Sequence, residues 1–333
     1  MHLPSLTVVI PVYNEEENVL PLFEALKSAL EPYAGDWHVI LVNDGSRDKT
    51  AVNVNECVQS FGDRFKHIEL QRNFGQTAAM QAGIDAAETE LIATMDGDLQ
   101  NDPADIPRLV EELLEKDLDL LQGWRKNRKD AAVSRKLPSR IANKLIQRVS
   151  GVKLDDYGCS LKVYRADVVK QIRLYGEMHR FIPIWMATVC PPHRIGQTVV
   201  NHRARMAGES KYGITRTFRV LIDLVTVFFF LKFRARPGHF FGSIGLWVGV
   251  IGGGMMAHLM FVKFILGENI GERPMLLIAS IMIIASLQFL TTGVLSEILS
   301  RIFFQTTNVS SYKVRQPLNF ELDDKVTEKE PPQ

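Results

Sequence analysis

The sequence predicts an α/β domain built on a mostly parallel sheet, followed by interface helices and a transmembrane helical hairpin. Three observations carry that expectation. From Leu6 to about Gly123, short apolar runs alternate with amphipathic stretches of helical length. Polar residues follow four successive apolar runs directly. Near the other end, residues 240–266 and 275–299 are apolar and long enough to cross a hydrocarbon core of about 30 Å, which takes about 20 residues.

The strand candidates are residues 6–12, 39–43, 67–71, 91–95 and 118–123. Residues 16–30, 49–61, 77–87 and 103–116 read as helices, the last opened by Asp102 as a cap and Pro103 at the first helical position. Beyond Gly123 the pattern turns basic and helical, with residues 135–150 amphipathic, and strands follow at 159–164 and 196–202. Residues 214–233 are mostly apolar and end in Phe228-Phe229-Phe230-Leu231, with Arg216, Arg219, Lys232, Arg234 and Arg236 around them, as suits helices lying in a membrane interface. Within the first long apolar stretch Gly245, Gly249, Gly253 and Ala257 recur every four residues, a small-residue stripe that serves either the hairpin or an oligomer.

Composition narrows the function classes. With 39 basic and 38 acidic side chains the net charge is +1, so no global field favours nucleic acid. Cys57, Cys159 and Cys190 lack paired spacings and read as buried small residues in a reducing compartment. Residues 1–5 carry no basic flank leading into a long apolar run, so the first domain is expected to stay in the cytoplasm. Basic residues precede the hairpin (Lys232, Arg234, Arg236) and follow it (Arg301, Lys313, Arg315), which predicts that both termini face the cytoplasm.

In an open parallel sheet the carboxyl ends of the strands line one edge. Asn14 and Glu15, then Asp44, then Arg72 and Asn73, then Asp96 and Asp98 should therefore converge there. Two carboxylates as close as Asp96 and Asp98 repel unless a cation lies between them, and hard oxygens suit Mg²⁺ or Mn²⁺. Asp-x-Asp alone also occurs on solvated loops, and by local spacing Asp44 reads as the first residue of a turn with Gly45. Neither GxGxxG nor GxxxxGK[ST] occurs in the soluble part.

In order and spacing, Val9-Ile10-Pro11-Val12-Tyr13-Asn14-Glu15-Glu16, Val42-Asn43-Asp44-Gly45-Ser46, Arg72-Asn73-Phe74-Gly75 and Asp96-Gly97-Asp98-Leu99-Gln100 resemble the motifs of inverting glycosyltransferases with the GT-A (Rossmann-like) fold. More narrowly they resemble the dolichol-phosphate mannose synthase group and its bacterial polyprenyl-phosphate relatives. The resemblance runs on through Asp156-Tyr157-Gly158-Cys159, Arg180-Phe181-Ile182-Pro183, Arg205 to Tyr212 and the two-span hairpin. Residues 127–211 look most like the undecaprenyl-phosphate 4-deoxy-4-formamido-L-arabinose transferases, from which Met178-His179-Arg180 and Gly97 depart.

The resemblance implies a nucleotide-sugar donor, a UDP-sugar foremost, and a polyprenyl phosphate acceptor such as undecaprenyl phosphate. Pro11, Tyr13, Glu15, Asp44 and Asp96 would line the nucleotide site, and Asp96, Asp98 and Gln100 would hold Mg²⁺ or Mn²⁺. Arg125, Arg135, Ser139, Arg205 and Lys211 match positions that the family uses for the acceptor phosphate. Asp98 and Asp156 are the catalytic candidates, Asp156 by the donor sugar; Asp155 reads as a turn residue and His179 as either structural or sugar-contacting. The implied layout is a cytoplasmic GT-A domain at 1–212, interface helices at 213–237, a hairpin at 238–300 and a tail at 301–333 that ends in disorder. It implies a multi-pass protein of the plasma (inner) membrane, and some relatives form tetramers. Processive polysaccharide synthases carry a Gln-x-x-Arg-Trp motif and more spans, and neither is present.

Overall fold

The structure is a computed structural model that describes residues 3–126, 147, 150–203 and 237–306. The chain divides into two compact units, Met1–Lys232 and Phe233–Gln333. The first contains β1 (Leu6–Val12), α1 (Val19–Leu30), β2 (Trp37–Asn43), α2 (Thr50–Phe61), β3 (Phe65–Glu69), α3 (Gln76–Ala86), β4 (Leu91–Thr94), α4 (Asp105–Glu115), β5 (Leu120–Trp124), β6 (Lys162–Arg165) and β7 (Ile195–Val199). They form one sheet in the order β3-β2-β1-β4-β6-β5-β7. Every neighbouring pair is parallel except those of β6, which runs antiparallel between β4 and β5.

The strands are apolar on both faces because helices cover both. Val8, Ile10 and Val12 belong to one core with α1 and α4, whereas Val9 packs into the other beside Met80 and Ile84 of α3. Leu120 and Leu121 divide the same way, as the period of two requires. Helix α3 lies close on the sheet: a Cβ at Gly83 would stand 2.2 Å from Val9 Cγ1.

Some boundaries differ from expectation. The strand expected at 67–71 begins at Phe65, whose buried ring stacks on Phe23 at 4.8 Å and meets Trp37 edge-on at 5.8 Å. Helix α1 starts at Val19 instead of residue 16, because Asn14 adopts a positive φ of 53° and residues 15–18 form a turn closed by Asn18 N–H donating to the Glu15 carbonyl at 2.9 Å. The strand expected at 159–164 begins at Lys162, and β7 ends at Val199. The helix expected over 135–150 and the interface helices at 213–236 lie essentially outside the described residues, as does the tail beyond 306.

In the second unit the helices Pro237–Phe264 and Pro274–Thr306 pack on one another as a hairpin. Ser286 Oγ donates to the Gly245 carbonyl at 2.7 Å. A Cβ at Gly245, Gly249 or Gly252 would meet the second helix at 3.0, 2.5 or 2.8 Å, so these glycines permit the close approach. At Gly253 a Cβ would meet nothing within 4 Å, so the four-residue stripe divides between the hairpin contact and an open face. Both helices are long and apolar enough to cross a membrane, and only 17% and 11% of their apolar windows are buried. Trp247 at 68% and Phe264 at 73% exposure would be out of place in the core of a soluble protein.

Candidate active site

The carboxyl ends of β1 and β2 carry loops that are stitched together. Asn14 N–H donates to Ser46 Oγ at 3.0 Å, Arg47 N–H to Asn14 Oδ1 at 2.9 Å, and Glu15 N–H to Thr50 Oγ1 at 2.9 Å. Pro11 is buried beneath this junction, while Tyr13 and Glu15 are half-buried at its surface. Asp44, 3% exposed, accepts from Phe74 N–H at 2.7 Å and from Gly75 N–H at 2.9 Å. The residue expected to meet a base therefore clamps the loop after β3, and each of its oxygens keeps a lone pair for a further donor.

Gly45 makes that clamp possible: its φ is +64° and a Cβ there would stand 2.4 Å from the Arg72 carbonyl carbon. Gly45→Ala is expected to cost about 2 kcal/mol or more, from the left-handed backbone plus the clash. Thermal melts would check the loss, and nucleotide binding should weaken with it. An unchanged melting temperature would show that the loop has slack that the structure does not display.

The acid pair leaves β4 in a turn under backbone strain, for Leu99 is buried at 3% exposure yet has φ 58°. Gln76 Nε2, from the first turn of α3, donates to Asp96 Oδ1 at 2.7 Å, and Asp98 Oδ1 accepts from Gln100 N–H at 3.2 Å. The Asp96 carboxyl is raised above its ordinary range by burial first and the Asp98 charge second, against a Ser160 hydrogen bond and the charges of Lys162 and Arg125. A divalent cation relieves the repulsion between two carboxylates so close together. Among the described residues no group of three or more His, Cys, Asp or Glu forms a metal cage. Two carboxylates fit Mg²⁺ or Mn²⁺ when the remaining ligands are diphosphate oxygens and water.

Asp156 and Arg125 face each other as a bidentate pair, with Nε to Oδ2 at 2.8 Å and Nη2 to Oδ1 at 3.0 Å. Burial works against the Arg125 charge, but the Asp156 hydrogen bonds and charge outweigh it, so the guanidinium is held more firmly protonated. Two of its five N–H donors serve Asp156 among the described residues. The turn carrying Asp156 is joined to the acid-pair loop: Asn101 Nδ2 donates to Ser160 Oγ at 2.7 Å, and Thr94 Oγ1 to the Ser160 carbonyl at 3.1 Å. Below it, Gln122 Nε2 donates to the Asp156 carbonyl and Lys162 Nζ to the Cys159 carbonyl.

Two further segments reach this edge. Thr77 Oγ1 donates to the Gly176 carbonyl at 2.5 Å, so its contact with His179 Nδ1 at 2.6 Å makes that nitrogen the donor. His179 thus sits against the same helix start that holds Asp96. The segment leading to Arg205 departs from beside the acid pair: Arg203 N–H donates to the Gln100 carbonyl at 2.8 Å, and the Arg203 guanidinium pairs with Asp102 at 2.6 Å. Arg135, Ser139, Arg205 and Lys211 themselves lie outside the described residues. Sequence reasoning passed over Gln76, Gln122, Ser160 and Lys162. Only Lys162 carried a signal, a single cation inside the apolar run Leu161 to Tyr164.

A GT-A sheet with an acid pair after its fourth strand defines a glycosyltransferase, and residues 7–173 match the glycosyl transferase family 2 profile. The chain belongs to that family. It is 55% identical to a dodecaprenyl-phosphate galacturonate synthase of Rhizobium johnstonii over 94% of this chain and 92% of that protein. It is 34% identical to the undecaprenyl-phosphate 4-deoxy-4-formamido-L-arabinose transferase of Edwardsiella ictaluri over 97% of each. The fold is shared with Mycobacterium tuberculosis glucosyl-3-phosphoglycerate synthase, at 15% identity and TM-score 0.53. The match covers 68% of this chain and 80% of that one in its complex with Mn²⁺, uridine diphosphate and glucosyl-3-phosphoglycerate. The same enzyme has been solved with Mg²⁺ and uridine diphosphate, again at TM-score 0.53.

Proposed function

We propose that this glycosyltransferase moves a galacturonyl residue from its UDP-sugar to a polyprenyl phosphate at the membrane surface, with inversion at the anomeric carbon. The supporting observation is the pairing of an acid site, Asp96 and Asp98, with Arg125 and Asp156 across the turn from it, in a chain 55% identical to a galacturonate synthase of that acceptor class. The arabinose transferases, at 34% identity, favour the same acceptor class and a different sugar.

Asp96 and Asp98 would hold Mg²⁺ or Mn²⁺ on the donor diphosphate, with Gln76 orienting Asp96 and Gln100 close by. When bound, such a cation neutralises charge on the departing nucleoside diphosphate. Pro11, Tyr13, Glu15 and Asp44 would line the nucleotide, and Arg125, Arg135, Ser139, Arg205 and Lys211 would receive the lipid phosphate. A phosphate monoester has its second pKa at about 6, so near neutral pH the attacking oxygen is already anionic and no strong base is required. What remains is alignment and charge stabilisation, which the Arg125–Asp156 pair would provide from fixed positions. The hairpin would span the membrane with both termini in the cytoplasm, keeping the domain beside its lipid acceptor.

The test presents purified protein in detergent with UDP-galacturonate, UDP-glucuronate, UDP-glucose and UDP-formamidoarabinose, each with undecaprenyl phosphate. The lipid product is read by mass spectrometry and its anomeric configuration by NMR. A galacturonyl lipid of inverted configuration is expected. A product formed only from the formamidoarabinose donor would reassign the sugar, and a retained configuration would reject the single displacement.

A further inference from the structure

We propose that Lys162 is a positioning residue of this site: a fixed buried cation whose charge, more than its hydrogen bond, sets the field at Asp96. Lys162 is 2% exposed, on β6, opposite Thr94 on one side and Gln122 on the other. Its Nζ donates to the Cys159 carbonyl, while the neighbouring Gln122 amide donates to the Asp156 carbonyl. The two side chains hold both ends of the turn that presents Asp156 to Arg125.

Holding a backbone carbonyl does not require a charge. Gln122 does so as a neutral amide one strand away, whereas an ammonium in the interior carries a large desolvation cost. That cost is visible here, for burial draws the Lys162 pKa down to about 8. Cys159, Asp96 and Asp156 favour its charge, and Arg125 opposes it. A buried charge held against that cost where a neutral donor would suffice is a local conflict of the kind found at functional sites. With the cation in place, the acid pair presents less net negative charge to an arriving metal and diphosphate.

The inference rests on the assignment of Asp96 and Asp98 to the metal. The experiment compares Lys162→Gln, which keeps a donor for the Cys159 carbonyl, with Lys162→Met, which keeps neither donor nor charge. Each is titrated with Mn²⁺ by electron paramagnetic resonance in the presence of saturating uridine diphosphate, melted, and assayed. Both variants are expected to bind Mn²⁺ several-fold more tightly than wild type and to lose at least tenfold in kcat, and Lys162→Gln, which keeps the donor, to melt no lower. Wild-type Mn²⁺ affinity in Lys162→Gln would overturn the role of the charge. Weaker Mn²⁺ binding with a lowered melting temperature in both variants, or failure of both to fold, would make Lys162 structural and overturn it too. If wild type bound no Mn²⁺, the metal assignment would fall and this inference with it.

Discussion

Asp98→Asn is expected to lower turnover by about 10³-fold, some 4 kcal/mol of transition-state stabilisation, while the protein still folds and enters membranes. Asparagine matches aspartate in volume and keeps the oxygen that accepts from Gln100 N–H at 3.2 Å. What disappears is one anionic oxygen donor of the pair. The metal-free protein should melt no lower than wild type, because the Asp98 charge is the second cause, after burial, of the raised Asp96 carboxyl.

The sign of the pH dependence follows. A carboxyl raised in the native state imposes no penalty at pH values where it is protonated both folded and unfolded. The penalty grows as pH climbs from the ordinary carboxylate range through the raised native value. Metal-free wild type should therefore lose stability across that window, Asp98→Asn should lose less, and Mn²⁺ should restore wild type alone. Melts over a pH series with and without Mn²⁺, beside turnover assays, check all three. Near-wild-type turnover in Asp98→Asn would remove the acid pair from the chemistry.

Asp156→Ala should be the most destabilising single change at the site. With Arg125 at 14% and Asp156 at 11% exposure, the substitution strands a guanidinium in a largely dry setting, and breaking such a pair costs about 3–5 kcal/mol. The double variant Arg125→Met with Asp156→Leu should regain much of that loss, since it removes both desolvated charges, yet remain inactive. Denaturant titrations of Arg125→Met, Asp156→Leu and the double variant close the cycle and give the coupling energy. A loss below about 1 kcal/mol in Asp156→Ala would mean that water reaches the pair as it does at an exposed surface.

The class of fold was legible in the chain alone, because that information is local. Apolar runs of strand length buried on both faces, helices with one apolar stripe, and spans long enough for a bilayer are periodicities that a short window contains. The edge at which polar residues converge was legible for the same reason, since parallel strands must share it: Asn14, Asp44 and Asp96 all lie in loops leaving the carboxyl ends of their strands. Strand ends were less legible. Phe65 joined β3 because Phe23 and Trp37 stand beside it, and neither ring is near it in the chain.

Which side chains face one another depends on the assembled fold. The reversal of β6 between β4 and β5 brings Lys162 opposite both Thr94 and Gln122 and sets the Asp156 turn against Arg125. By resemblance Arg125 and Asp156 are separate contacts for acceptor and donor, yet in the fold each is the other's bidentate partner. Gln76 reaches Asp96 from the start of a helix whose first turn carries no acidic residue. Such pairings depend on strand order and on desolvation, which are properties of the assembled interior, and a buried polar residue gives no periodic signal by which a linear reading could find it.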